Sequence, residues 1–335
     1  MDAQFLKHFG TFTLLLLLIT GENYADSTFE TANFAVNAPC AQSAQQFAEI
    51  AEQYRKDLAI LWLGSPLPNW AAKCPVKIHV GTHLGAGGRT SFVFENGEVF
   101  GWEMEIQGSY ERIIDSVLPH EITHTILASH FREPIPRWLD EGLATYVEHQ
   151  SEKAAYRQML RQYLQPNVQR CFPLNRLVAM KDYPDDPMPF YAQGLSLVEY
   201  LIQYGRQFEN CEYRRLIHFA QSGMSRGDWQ AALQEHYGID SLGELQLSWV
   251  SWVGGTELAS TLPVLAELPS VAPPDYLMSA SISVQQSSAK LPPPPANSVY
   301  ERRTAASPVQ MIPVQWTDER AVPIPVSFGR EVVLQ

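Results

Sequence analysis

The chain has 335 residues, enough for two modest domains or for one domain with a long appendage. Hydrophobic residues at 45% and aromatics at 11% are ample for a buried core, so at least part of the chain is globular. A formal net charge of -12 argues against nucleic acid and anionic membrane surfaces as main partners, because both demand basic patches.

The first residues read as an export signal over 1–25. Lys7 and the amino terminus give a weakly basic start, and the apolar run Phe12 to Thr20 contains five consecutive leucines, Leu14 to Leu18. That run has the length of a signal-peptide core and is too short to span a bilayer. Gly21 and Ala25 are candidate cleavage points; an uncleaved anchor or a buried core segment are the alternatives. The expected destination is exported: periplasmic, cell-surface or secreted, with no membrane span after signal removal.

Next come a short strand, Asn33 to Val36, and a helix from Ser43 to about Trp62, where Phe47, Ile50, Ala51, Tyr54, Leu58 and Leu61 recur at helical spacing. Pro66 and Pro68 end that helix. Val76 to Val80 alternates as a strand does, and Gly81 to Gly88 reads as a glycine-rich loop. Strands at Ser91 to Phe94 and Glu98 to Gln107 are joined by Glu95-Asn96-Gly97, which carries the Asn-Gly hairpin signal. The glycine loop is no phosphate cradle, since no Gly-Lys-Ser/Thr follows and a strand comes next.

From Ser109 to about Gln221 the pattern is mainly helical, with further helices expected at Gly227 to Tyr237 and Leu242 to Val253. Then composition shifts: residues 261–335 hold twelve of the 24 prolines, including Pro292 to Pro295. This reads as a disordered or extended tail and a candidate ligand for an envelope partner. Cys40, Cys74, Cys171 and Cys211 are far apart and form no CxxC pair, which disfavours a zinc ribbon. In an oxidising compartment two disulfides are expected, Cys40–Cys74 and Cys171–Cys211; buried free thiols are the alternative.

His120-Glu121-Ile122-Thr123-His124 is an HExxH motif. Residues four apart lie one above the other on a helix face, so both imidazoles can reach one metal ion. Glu121 is then placed beside the water that such a metal activates, where it can act as general base. Pro119 requires either a first-turn position after a Ser116 cap or a kink in a longer helix. Two residues compete as third ligand. His130 stands six after His124, but position 127 is a leucine where a chain-reversing glycine would be needed, and six residues of unbroken helix carry it off the metal-facing side. Glu141 follows a short Pro-containing turn, and a helix packed back on the first presents it to the metal. Glu148, seven later, returns to nearly the same face and can hold a ligand histidine by a hydrogen bond.

His120-Glu121-Ile122-Thr123-His124 followed by Trp138-Leu139-Asp140-Glu141-Gly142-Leu143-Ala144 resembles the gluzincin peptidases, in particular the peptidase MA-like group, and more distantly the aminopeptidase N-like enzymes. The resemblance implies one Zn2+ per chain on His120, His124 and Glu141, and a general base at Glu121. It also implies an oxyanion-stabilising tyrosine at Tyr191, in Tyr191-Ala192-Gln193-Gly194. Gly101-Trp102-Glu103-Met104-Glu105 matches the aminopeptidases' substrate-gripping strand only loosely, so no exopeptidase activity is carried over; the resemblance suggests the strand Glu98 to Gln107 as the edge on which an extended peptide pairs.

The expected architecture is α+β. A zincin-like metallopeptidase core over 30–150 holds a small mixed sheet, the HExxH helix and the third-ligand helix. A helical subdomain follows over 151–256, and a Pro-rich disordered tail over 257–335. The expected activity is zinc-dependent hydrolysis of peptide or protein substrates. The alternative is a non-catalytic, zinc-stabilised peptide-binding module of the cell envelope.

Overall fold

The structure, a computed structural model, describes residues 26–261 apart from 181, 209 and 210, with the side chains of 255–261 also left aside. The expected signal peptide and nearly all of the Pro-rich tail lie outside the described residues. The fold is α+β, a small mixed sheet with several helices. Among the described residues no helix is long and apolar enough to cross a membrane.

Five strands form the sheet: β1 (Ser27–Glu30), β2 (Phe34–Ala38), β3 (Cys74–Val80), β4 (Gly87–Glu95) and β5 (Glu98–Gly108), in the order β1-β2-β3-β5-β4. The pairs β2–β3 and β3–β5 are parallel; β1–β2 and β4–β5 are antiparallel. β1 has no counterpart in the sequence reading, because its four residues alternate too briefly to register. The helix α1 (Ala41–Leu63) crosses from β2 to β3, buries Phe47, Ala51, Leu58 and Trp62, and stops at Gly64, whose φ of 82° is the left-handed conformation glycine adopts without strain.

The β4–β5 hairpin turns at Asn96 and Gly97, both at positive φ (53° and 75°), as the Asn-Gly signal requires. A bulge interrupts the ladder between Ser91 and Val93. The sheet order corrects the expected peptide-pairing edge: β5 is bonded on both sides from Met104 to Gln107, and β4 is the outer strand.

A helical path then runs from Tyr110 to Phe131: one turn of α2 (Tyr110–Arg112), a π-helical turn over Ile113–Val117, and α3 (Leu118–Phe131). Pro119 therefore lies in a longer helical segment. Ser116 does not cap it, since its hydroxyl donates to Asp115 and accepts from the His149 backbone N–H. In the π turn the Leu118 N–H reaches back to the Ile113 carbonyl, and this wider winding lets the path continue through a proline that would clash in regular α geometry. α3 is buried from Leu118 through Ala128, between α1, α4 and the β4–β5 hairpin.

The remaining helices are α4 (Arg137–Tyr146), α5 (Gln150–Tyr163), α6 (Leu174–Ala179), α7 (Met188–Gly205), α8 (Glu212–Arg226), α9 (Trp229–Tyr237) and α10 (Leu242–Thr261). α3 ends at Arg132 in the left-handed conformation (φ 56°), and Pro134 and Pro136 carry the chain into α4, which folds back on α3. α4 and α7 meet backbone to backbone. A Cβ on Gly142 would stand 2.6 Å from the Gly194 carbonyl oxygen, and one on Gly194 would stand 2.7 Å from that of Trp138.

All four cysteines are free thiols, so the pairs Cys40–Cys74 and Cys171–Cys211 are not made. The sulfurs of Cys40, Cys74 and Cys211 are each turned to a partner close by in sequence. Cys40 is the N-cap of α1 and its sulfur accepts from the Ser43 N–H. Cys74 faces the Pro75 carbonyl, and burial pushes its thiol up to about 12. Cys211 opens α8 beside Arg215.

Candidate metal centre

His120 and His124 project from the same face of α3, with ring centroids 4.9 Å apart. Their Nε2 atoms face one oxygen of α4: Glu141 Oε2 lies 3.5 Å from His120 and 3.9 Å from His124. One ligand atom from each of the three residues falls within 4.8 Å of the others, and all three side chains are buried. This buried His-His-Glu group could hold a metal ion.

The other ring nitrogens are already committed. His120 Nδ1 donates to Glu148 Oε1 at 2.6 Å, and His124 Nδ1 donates to Asp140 Oδ1 at 2.8 Å. A carboxylate on Nδ1 fixes the tautomer whose free Nε2 lone pair points at a metal and makes the imidazole a stronger donor. Arg137 steadies Asp140 from behind, 3.7 Å from its other oxygen. On Glu141 the second oxygen, Oε1, accepts a short hydrogen bond from the Tyr183 hydroxyl.

Glu121 stands beside this cluster. Its Oε2 accepts from the Thr90 hydroxyl of β4 at 2.6 Å, and Gly88 of the same strand makes room for it: a Cβ there would lie 2.6 Å from Glu121 Oε1. The carboxyl is thus held by the sheet edge while the two histidines and Glu141 face each other.

The electrostatics follow from burial and crowding. Burial lowers the pKa of His120, but contacts with Glu141 and Glu148 and the charge of Glu121 prevail and hold it well above the ordinary imidazole value. Burial likewise opposes, and Asp140 and Glu141 outweigh it, at His124, whose pKa is raised. Burial pushes the Glu121 carboxyl up against the pull of both histidines and of Thr90. For Glu141 the order reverses: burial would raise it, but the histidines and Tyr183 hold it below the usual carboxylate range. Glu148 is raised, mainly by burial. Four buried carboxylates around two imidazoles hold an excess of negative charge in a poorly solvated space, which a divalent cation on the free Nε2 and Oε2 atoms would compensate. The donor set therefore fits a metal ion.

His120, Glu121, His124, Glu141 and Glu148 all meet at this one place. His130 does not: it sits at the far end of α3, hydrogen-bonded to Gln221 at 2.8 Å. Tyr191 is buried one ring behind the cluster, stacked between Tyr183 (centroids 6.3 Å) and Tyr156 (6.5 Å), and it is the Tyr183 hydroxyl that reaches Glu141.

Asp140, Tyr183, Thr90 and Gly88 were missed by sequence reasoning. Asp140 had a signal, since it adjoins Glu141 and sits three after Arg137. Tyr183 lies in an irregular connection, and Thr90 and Gly88 lie on a strand about thirty positions upstream, where no local pattern marks them.

The constellation is a buried two-histidine, one-carboxylate group that could hold a metal ion, with the Glu121 carboxyl at its side. No family model matches the chain, and neither a curated protein nor a solved structure matches it.

Proposed function

We propose that the protein is a zinc-dependent peptidase of gluzincin type, with a zincin-like core, acting on peptide or protein substrates outside the cytoplasm. The observation that carries this reading is the division of labour among the carboxylates. Two orient the histidines through Nδ1, Glu141 joins their Nε2 atoms, and Glu121 is tied to Thr90 at the side. A pure metal scaffold has no need of that last carboxyl.

His120, His124 and Glu141 would hold the ion, which when bound supplies a Lewis acid that polarises a carbonyl and acidifies water. Glu121 takes the proton of the attacking water and hands it to the leaving amine; a carboxyl pushed up by burial has a proton affinity suited to both tasks. Asp140 and Glu148 keep the imidazoles from turning. An oxyanion donor must be a hydroxyl that can approach the reacting carbonyl. Tyr191 is the residue that the resemblance implies, with Tyr183 lying between it and Glu141, so Tyr183→Phe and Tyr191→Phe separate the two assignments.

The test is metal content and cleavage of an unfolded protein, measured on the same samples of wild type, Glu141→Ala and Glu121→Gln. Near one zinc per chain, weakened in Glu141→Ala, with chelator-sensitive cleavage lost in a metal-replete Glu121→Gln, is the expected pattern. Full activity in Glu121→Gln sinks the mechanism. Zinc without cleavage of any substrate points to the binding module instead.

A further inference from the structure

A cleft opens between α5, α7 and α10, lined by none of His120, His124 and Glu141. The cleft encloses about 370 Å³, within the size range of small-molecule sites. On a chain of net charge -12 its walls carry four cations, Lys153, Arg157, Arg161 and Arg206, against one carboxylate, Glu199. The three cations of α5 stand at positions i, i+4 and i+8, along one face of the helix.

Glu199 does not neutralise the cleft. Both of its oxygens are taken by Arg157, with Arg157 Nε at 3.0 Å from Oε2 and Nη2 in short contact with Oε1. Arg206 has only a loose 3.6 Å contact with Glu212. Lys153 is the most telling member: it is buried, and its ammonium donates to the Tyr146 backbone carbonyl at 2.8 Å. Among the described residues no carboxylate lies within ion-pair distance of it. Capping the last carbonyls of α4 explains that one bond; the Tyr146 ring lies 5.2 Å from the ammonium, and Glu199 and Glu148 act on it from beyond ion-pair distance. Burial still lowers its pKa.

The cleft also carries apolar and aromatic groups. Leu160, Ile202 and Val253 line it, and the half-exposed Trp252 stands there with its indole N–H fixed on Gln203 Oε1 at 3.0 Å. Cations together with a held indole suit a ligand with two ends.

We propose that this cleft binds an organic oxyanion, a carboxylate or phosphate carried on an apolar or aromatic body, with Lys153 and Arg161 gripping the charged group and Trp252 stacking on the body. Carboxylate and phosphate share the chemistry that forked guanidinium and ammonium donors recognise.

The experiment titrates the full-length protein with phenyl phosphate, benzoate and inorganic phosphate at constant ionic strength, by calorimetry and tryptophan fluorescence, in wild type, Arg161→Gln and Lys153→Gln. Arg161 is exposed, so its variant stays informative even if the buried Lys153 variant folds poorly. Saturable binding of phenyl phosphate or benzoate, weakened about tenfold or more in Arg161→Gln, is expected; the tighter of the two identifies the headgroup. Inorganic phosphate should bind about tenfold more weakly than phenyl phosphate, for want of the body that Trp252 stacks on. No saturation with either aromatic anion, binding that Arg161→Gln leaves unaltered, or equal affinity for inorganic phosphate overturns the proposal. None of these readouts depends on metal or on cleavage, so this site stands or falls separately from the peptidase reading.

Discussion

Replacing Gly88 by alanine is the sharpest probe of how Glu121 is held. The added methyl carbon would stand 2.6 Å from Glu121 Oε1, 2.8 Å from Cγ and 2.9 Å from Cδ. Comfortable contact between such atoms begins near ~3.5 Å, so something must retreat by roughly 0.6–0.9 Å. The strand is held in its ladder with β5, so the carboxyl is the part that moves. Its retreat also strains or breaks the 2.6 Å bond from Thr90, a charge-assisted bond worth about 1.5–3 kcal/mol. Misplacing a reacting group by about 1 Å costs on the order of 100-fold in rate. We therefore expect Gly88→Ala to lower kcat about 100-fold and stability by about 1–3 kcal/mol. Metal content should stay at the wild-type level, because His120, His124 and Glu141 are not touched. Cleavage of an unfolded protein, metal analysis and a urea melt on one preparation read all three. Full activity would refute the argument that Glu121 works from the observed position, and loss of metal alongside activity would refute its confinement to that residue.

Three further outcomes follow from the same geometry. Removing the carboxylates behind the histidines, in Asp140→Ala or Glu148→Ala, should weaken metal affinity about 10- to 100-fold while leaving the fold intact, measured by chelator competition; unaltered affinity would show that the imidazoles need no orienting partner. Because the folded pKa values of His120 and His124 are raised, a metal must displace protons from them, so affinity should climb with pH until those values are passed, by up to about tenfold per unit for each proton displaced. In the metal-free protein the same protons contribute stability that is fully present below the unfolded imidazole value and lost as pH rises through the folded ones; chelator competition and melts across the neutral range test both signs. Gly142→Ala, which drives a Cβ to 2.6 Å from the Gly194 carbonyl, should cost at least about 1–3 kcal/mol and loosen the metal by shifting Glu141, whereas a wild-type melt would mean that α4 and α7 can part freely.

What the sequence determined by itself was the part of the site that is local. Four-residue spacing on a helix places His120 beside His124 whatever the surroundings, and Glu121 travels with them. The turn Glu133 to Pro136 forces a reversal, and the reversed helix brings Glu141 to both histidines, while Glu148, just past the end of that helix, reaches His120. The hairpin at Asn96-Gly97 was legible for the same reason, since two positive φ values in a row demand those residue types.

Only the tertiary structure decided the rest. That β4 and not β5 is the outer strand depends on how β3 pairs, and nothing in either strand's own alternation records its neighbours. Thr90 and Gly88 reach Glu121 across a sheet-to-helix contact, and Tyr183 reaches Glu141 from an irregular connection, so their roles exist only once distant segments are packed. The cysteines make the same point in reverse. Sharing a half of the chain proved no guide to pairing, because Cys40 and Cys74 are each turned to a partner near it in sequence, and bond formation depends on where sulfurs point in space.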